Sequence, residues 1–315
     1  MPMYDSINFR IRQDEAGGVD FLAETSCFLE NIAEHHYSGD TVITGNLGGL
    51  KISLNRYQLK VKDGSICKWF LGDNFRVMGR GDTERAIEKL SDMLHLPMSK
   101  ATVTRLDAAQ NFVLKHPPEV YLNHLGLLRY HKRCSMVELG SLYYHKGEQK
   151  LVFYDKNREQ RSKGEPIPDL YQGKNLLRYE LRYTGRVATA LNVPEVTGAI
   201  LYNEAFYIGL LDRWKDTYKA IQKINDVSLN FGAMKTKQQL YKMGVLSLIE
   251  QAGGQLQMLE QINEAQKRGE LTGKQAFDLR AAVKDACKLK EGLTVPNEAI
   301  EELNKKVGEA VRFYR

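Results

Sequence analysis

The chain has 315 residues, with 45 Lys and Arg against 39 Asp and Glu, 43% hydrophobic and 27% charged residues. This balance excludes a disordered or fibrous chain and leaves room for about two domains with their own cores. Cys27, Cys67, Cys134 and Cys287 form no CxxC pair, which argues against a disulfide framework or zinc knuckle and for a reducing compartment. The opening residues lack an apolar core and no run of about 18 apolar residues occurs, so neither signal peptide nor membrane span is expected, and a cytoplasmic protein is.

In chain order, the alternation of Ile7, Phe9 and Ile11 predicts a strand over Ser6 to Arg12. The spacing of Leu22, Cys27, Leu29 and Ile32 predicts a helix from Val19 to His35, with the pair His35-His36 at its end. Short runs punctuated by glycine follow, at Thr41 to Gly45, Leu50 to Asn55, Gln58 to Lys62 and Ser65 to Leu71. They read as a meander of strands with Asp63-Gly64 as a hairpin turn. Thr83 to Leu94 predicts a helix with Ala86, Ile87, Leu90 and Leu94 on its apolar face. Ala101 to Leu114 reads as a long strand, and Pro117-Pro118 opens a helix over Glu119 to Leu128. Ser135 to His145 and Lys150 to Tyr154 pair as a hairpin about Lys146-Gly147-Glu148. Asp155 to Gly173 is a loop, alone or with a short helix, before a strand at Leu176 to Tyr183. Helical spacing then takes over: one helix or two over Gly198 to Lys223, and four more at Lys237 to Glu250, Gln255 to Arg268, Thr272 to Lys288 and Asn297 to Phe313. These are bounded by Gly253-Gly254, Gly269, Gly292 and Pro296. The expected fold class is α+β, an antiparallel-sheet domain over 1–197 followed by an all-α domain over 198–315, the boundary lying between Thr197 and Asn203.

The net charge of +6 is local: residues 129 to 186 hold 13 Lys and Arg against 7 Asp and Glu, and the rest balances. Tyr130, Tyr143, Tyr144, Phe153, Tyr154, Tyr171, Tyr179 and Tyr183 are interleaved with these cations. Cations that neutralise phosphates beside aromatic faces on which bases stack suit single-stranded nucleic acid, although a solvated face over core tyrosines has the same composition. Tyr143, Tyr144, Lys150, Arg158 and Arg182 are therefore candidate DNA contacts, and the basic stretch is expected to line the path of a DNA strand.

Three polar groups recur on predicted strands or just after one: Arg105-x-Asp107, Tyr154-x-Lys156 with Glu159, and Arg178-x-Glu180-x-Arg182. Spacing of two on a strand puts both side chains on one face, so each group presents a matched pair. Any one alone could be a structural ion pair, but three on neighbouring strands suggest a site. Asp107 and Glu180 offer hard oxygen ligands for Mg²⁺ or Mn²⁺. Tyr154 could attack a phosphate, with Lys156, Arg105 or Arg178 favouring its phenolate and offsetting charge on the phosphorane. Tyr143 and Tyr144 are rival nucleophiles, or a second tyrosine for strand closure.

Thr102-Val-Thr-Arg-Leu-Asp107, Leu151-Val-Phe-Tyr-Asp-Lys-Asn-Arg-Glu159 and Asn175-Leu-Leu-Arg-Tyr-Glu-Leu-Arg182 resemble the three motif blocks of the replication initiators of the filamentous-phage gene II/X family, and more distantly those of trans-acting plasmid Rep initiators. The resemblance runs over about residues 4 to 195. It implies a ferredoxin-like, rolling-circle Rep type nuclease domain that nicks one strand of an origin, holds the 5′ phosphate through tyrosine, leaves a 3′ hydroxyl and later rejoins the displaced strand. Tyr154 then matches the family tyrosine, Lys156 the basic residue two on, Asp107 and Glu180 the acidic metal-site positions, and Arg105 and Arg178 their motif arginines. Implied partners are origin DNA, double- and single-stranded, a host helicase, polymerase and single-strand binding protein, and a second copy of the chain. The pattern departs in lacking a His-hydrophobic-His pair, so a metal site would rest on carboxylates. A non-catalytic origin-binding regulator and a conjugative relaxase are the alternatives. The helical region could grip duplex DNA, pair two copies or cap the sheet.

Overall fold

The alternation of Ile7, Phe9 and Ile11 buries all three on a strand, β1 (Met3–Arg12), and that strand joins two halves of one sheet. The computed structural model describes residues 3–37, 39–76, 78–136, 140–227, 235–288, 294–295 and 297–312. On one side of β1 lie β2 (Glu30–Tyr37), β3 (Asp40–Leu47), β4 (Leu50–Leu54) and β5 (Gln58–Lys62). On the other lie β6 (Thr102–Leu114), β7 (Lys132–Met136), β8 (Ser141–Lys146), β9 (Gln149–Asp155) and β10 (Asn175–Tyr183). The strand order is β2-β3-β4-β5-β1-β6-β10-β9-β8-β7, and every neighbouring pair is antiparallel.

Short helices α1 (Ile66–Leu71), α3 (Pro118–Asn123), α4 (Lys156–Ser162), α5 (Val187–Leu191) and α6 (Gly198–Leu201) connect these strands with the longer α2 (Arg80–Leu94). Ala86, Ile87, Leu90 and Leu94 of α2 are buried together, as their spacing predicts. Helices α7 (Glu204–Ala220) and α11 (Glu298–Arg312) pack on the sheet. Trp214 and Tyr218 of α7 and Leu303 and Val307 of α11 share one apolar cluster with Phe153 and Tyr179 of the sheet. Helices α8 (Lys237–Gln251), α9 (Gln255–Lys267) and α10 (Gly273–Cys287) close over a separate cluster of Ile249, Ile262, Ala276, Val283 and Ala286. A two-strand ladder, β11 (Asp226–Val227) with β12 (Thr294–Val295), lies beside them. The architecture is thus α+β, with no described helix long and apolar enough to cross a membrane.

Four elements differ from their predicted form. Val19 to His35 is a helical turn over Phe21–Phe28 and then β2, so His35 and His36 lie on a strand. Every residue of β2 is exposed, so no buried partner rewards a helical stripe there, whereas pairing with β3 satisfies the backbone. Ser65 to Leu71 contains α1 instead of a strand. The Ser65 hydroxyl accepts from the Lys68 amide at 3.0 Å, and Gly72, at φ 89°, ends the helix. Asp63-Gly64 consequently leads from β5 into a helix and makes no hairpin. The helix after Pro117 stops at Asn123, because Leu125 bridges to Lys223. Ser135 to His145 divides between β7 and β8; residues 137–139 between them, like the expected limits Gly292, Pro296 and Phe313, lie outside the described residues.

Candidate active site

Strands β6, β10, β9 and β8 present one face to the helices and the other to an open cavity of about 1170 Å³. Register decides which side chains share that face. Arg178 sits opposite Tyr154, which sits opposite Ser141; Arg182 sits between Lys150 and Asp107. Spacing of two then brings Glu180 into the same row as Arg178 and Arg182.

Glu180 is the centre of the arrangement. Its Oε1 accepts from the Tyr154 hydroxyl at 2.7 Å and from Arg178 Nε at 2.6 Å. Its Oε2 accepts from Arg182 Nε at 2.6 Å and Nη2 at 2.5 Å. Arg105 grips Asp107 in a two-pronged pair, Nε to Oδ1 at 3.1 Å and Nη2 to Oδ2 at 2.6 Å, and Arg182 lies 3.8 Å from the same carboxylate. A buried charge is tolerated only when paired and hydrogen-bonded, and this network supplies that for Arg178, Glu180 and Asp107, all buried.

The electrostatics follow from these contacts. Burial pushes the Glu180 carboxyl up, but Arg178 and Arg182 outweigh it and hold the pKa down to about 2. Asp107 goes the other way, to about 6, because burial outweighs its Arg105 pair. Burial and then the Glu180 charge push the Tyr154 phenol well above its ordinary value, against a smaller pull from Arg178. The cation-activated phenolate expected from the sequence is therefore not the resting form. Lys156, at the start of α4, is buried and donates to Glu159 at 2.8 Å and Gln160 at 3.0 Å. Burial and Arg178 lower its pKa.

Of the sequence-derived candidates, Tyr154, Lys156, Arg105, Asp107, Glu180 and Arg182 line the cavity, as do Tyr143 and Arg158; Arg178 lies behind them. Lys150 shares the face through its pairing with Arg182 but is not among the lining residues. Tyr144 is a correction. Adjacent strand residues point to opposite faces, so Tyr144 is fully buried against the helices, its hydroxyl donating to the Gly126 carbonyl at 2.6 Å and the Leu125 carbonyl at 3.2 Å. It can neither touch DNA nor attack a phosphate from there. Asp155 caps α4, accepting from the Arg158 amide at 2.9 Å.

Asp5 is a site residue that the sequence reading missed. It accepts from Ser65 Oγ at 2.5 Å and pairs with Arg178 Nη2 at 2.8 Å on the cavity wall. Strict alternation places Asp5 with Ile7, Phe9 and Ile11 on the apolar side. A register shift between Tyr4 and Ile7 reverses that, so Tyr4 enters the core and Asp5 faces the site.

A divalent ion is expected at Asp107 and Glu180, but the donors as arranged do not fit one. Both Glu180 oxygens and both Asp107 oxygens already accept from Arg or Tyr. Among the described residues no group of three or more His, Cys, Asp and Glu is placed to hold a metal. The basic excess is also divided. Lys156, Arg158, Lys163 and Arg182 line this cavity, Arg129, Lys132 and Arg133 line a cleft against α9, and Lys146 and Arg186 flank a third hollow.

Residues 3–207 match the family model described as replication-associated protein G2P N-terminal. A search of curated proteins finds no match.

Proposed function

Because the chain belongs to the family of phage replication-associated proteins of the G2P type, we propose that it initiates replication by nicking one strand of an origin through Tyr154. The observation that carries this reading is the Tyr154 hydroxyl, on the wall of an open cavity, donating to a carboxylate flanked by two guanidinium groups. The phenol oxygen attacks the scissile phosphorus, the bond from phosphorus to the 3′ oxygen breaks, and a 5′ phosphotyrosine and a 3′ hydroxyl result. The phenol proton passes to Glu180, its acceptor in the resting site, and the departing 3′ oxygen takes a proton from the water of the open cavity, after which Glu180 releases its own to solvent.

Glu180 with a pKa of about 2 is a weak base while both arginines hold it. Arg182, part-exposed and shared between Glu180 and Asp107, is the one able to turn toward an incoming phosphate. That move strengthens Glu180 as a base and at the same time neutralises charge on the phosphorane. Arg178, pinned by Asp5 and Asn111, keeps Glu180 in place. The reverse attack by the 3′ hydroxyl on the phosphotyrosine rejoins the strand with no external energy. These steps use no cation, and Glu180 has an oxygen to offer one only after Arg182 has turned away from Oε2. A Mg²⁺ or Mn²⁺ requirement, measured by titrating the ion into chelated protein, would mean that DNA binding first opens the network. Strands β5-β1-β6-β10-β9 would be the ferredoxin-like nuclease core expected of such initiators, and origin DNA the partner.

Tyr154→Phe tests the reading with supercoiled origin DNA. Wild type and Tyr143→Phe should form a covalent adduct that survives denaturation, and Tyr154→Phe should form none. An adduct with Tyr154→Phe removes the nucleophile from this position.

A further inference from the structure

The cavity has a second wall that the cutting chemistry leaves unused. There the indole of Trp69, on α1, is half-buried and lines the same space as Tyr154. The ammonium of Lys89, reaching from α2, lies 4.8 Å from the ring centroid. Lys89 is exposed and, among the described residues, makes no ion pair. The turn between β3 and β4 passes the edge of the same indole. A Cβ on Gly48 would stand 3.1 Å from both Cδ1 and Nε1 of Trp69, and Gly48 has φ 59°. Gly49 beside it faces open space within the cavity. The wall thus consists of a flat aromatic face, a cation resting on it and 5.9 Å from the centroid of the Phe70 ring, and a turn without side chains.

We propose that Trp69 is the stacking platform for a base of the single-stranded DNA whose backbone reaches Tyr154, with Lys89 leaving the ring to pair with an adjacent phosphate. This rests on the nicking reading above. A nucleobase replaces the ammonium over the indole, and the displaced ammonium neutralises a phosphate, so neither group loses its partner. Stacking on an aromatic face tolerates any base, so the site contributes affinity and strand placement and leaves origin choice to other contacts.

The chain contains two tryptophans, and Trp214 is fully buried under the sheet, so only Trp69 can report contact with a ligand in the cavity. The experiment titrates the full-length protein with a short oligo-dT and with the same backbone carrying abasic sites, reading tryptophan emission and, in parallel, anisotropy of a labelled oligonucleotide. The proposal expects quenching by oligo-dT and little or none by the abasic strand. It also expects affinity to fall about tenfold in Trp69→Ala and to be largely retained in Trp69→Phe, which keeps a stacking face. Anisotropy that shows binding without quenching, or equal quenching by both strands, overturns the stacking site and leaves the nicking reading intact. No binding of either oligonucleotide also overturns the stacking site, while the nicking reading falls only if wild type forms no adduct with supercoiled origin DNA.

Discussion

Strands β9 and β10 carry tyrosines on both faces, and the two faces use them differently. On the helix-backed face Phe153 stacks on Tyr179 at 4.4 Å, and Tyr179 packs on Trp214 at 4.5 Å. The Tyr179 hydroxyl donates to the Trp214 carbonyl at 3.0 Å. On the cavity face Tyr154 is nearly as enclosed, 9% exposed, but its hydroxyl donates to a carboxylate. A neutral carbonyl only satisfies a buried hydroxyl, whereas a carboxylate can also take its proton. Tyr121, in the core, also donates to a carboxylate, that of Glu302, so what distinguishes Tyr154 is a carboxylate acceptor together with a place on the cavity wall.

The largest expected effects come from removing the anchor of each face. Trp214→Ala opens a cavity beneath Tyr179 and Phe112 and should cost about 3–5 kcal/mol in urea unfolding, with nicking per folded molecule unchanged. Arg178→Ala leaves Asp5 and Glu180 buried without their shared partner. It should cost about 3–5 kcal/mol as well, and here nicking should disappear. If Arg178→Ala were as stable as wild type, or if Trp214→Ala lost its chemistry while folded, the two faces would not be separable in this way.

How much of this division was legible beforehand depended on the strands involved. On β6 and β10 the period-two spacing of Arg105 with Asp107 and of Arg178, Glu180 and Arg182 put each set on one face, and the structure keeps them there. For Tyr143 and Tyr144 alternation says only that they point apart. Which one meets the cavity follows from the hairpin turn at Gly147-Glu148, which pairs Ser141 with Tyr154 and so puts Tyr143 on the Tyr154 face; the spacing within β8 alone does not give it. Asp5 was hidden because a bulge reverses the parity of β1. At α1 the signal was present, Ser65 as cap and Gly72 as stop, but the apolar run Ile66 to Leu71 reads equally as a short buried strand. The packing of α7 and α11 on the sheet depends on tertiary contacts to which helical periodicity is blind.

Next in size is a pH effect that sharpens the comparison within the cavity face itself. The Asp107 pKa rises from 3.8 to about 6 on folding. The folded state therefore binds the extra proton, and this group's contribution to stability falls as pH rises through that window. Glu180, lowered from 4.5 to about 2, does the reverse: its contribution is present above 4.5 and is lost as pH falls toward 2. Asp107→Asn should flatten the stability profile between about pH 4 and 6, and Glu180→Gln should flatten it below 4.5. Urea midpoints measured from pH 2.5 to 7 would show both, and a single acid limb altered alike by the two variants would mean that they titrate as one group.

The smallest effect is the most diagnostic for the tyrosines. Tyr144→Phe removes a hydroxyl that donates to two backbone carbonyls in the core and leaves the ring in its edge-on contact with Phe153. The lost hydrogen bond is worth about 1 kcal/mol. The variant should unfold at slightly lower urea, while adduct formation at the origin stays at the wild-type level. Tyr154→Phe removes the same oxygen from a ring one strand away and should abolish the adduct. One chemical change with two readouts thus tests whether a carboxylate acceptor on the cavity wall decides function: a Tyr144→Phe protein that folds but no longer forms the adduct would show that it does not.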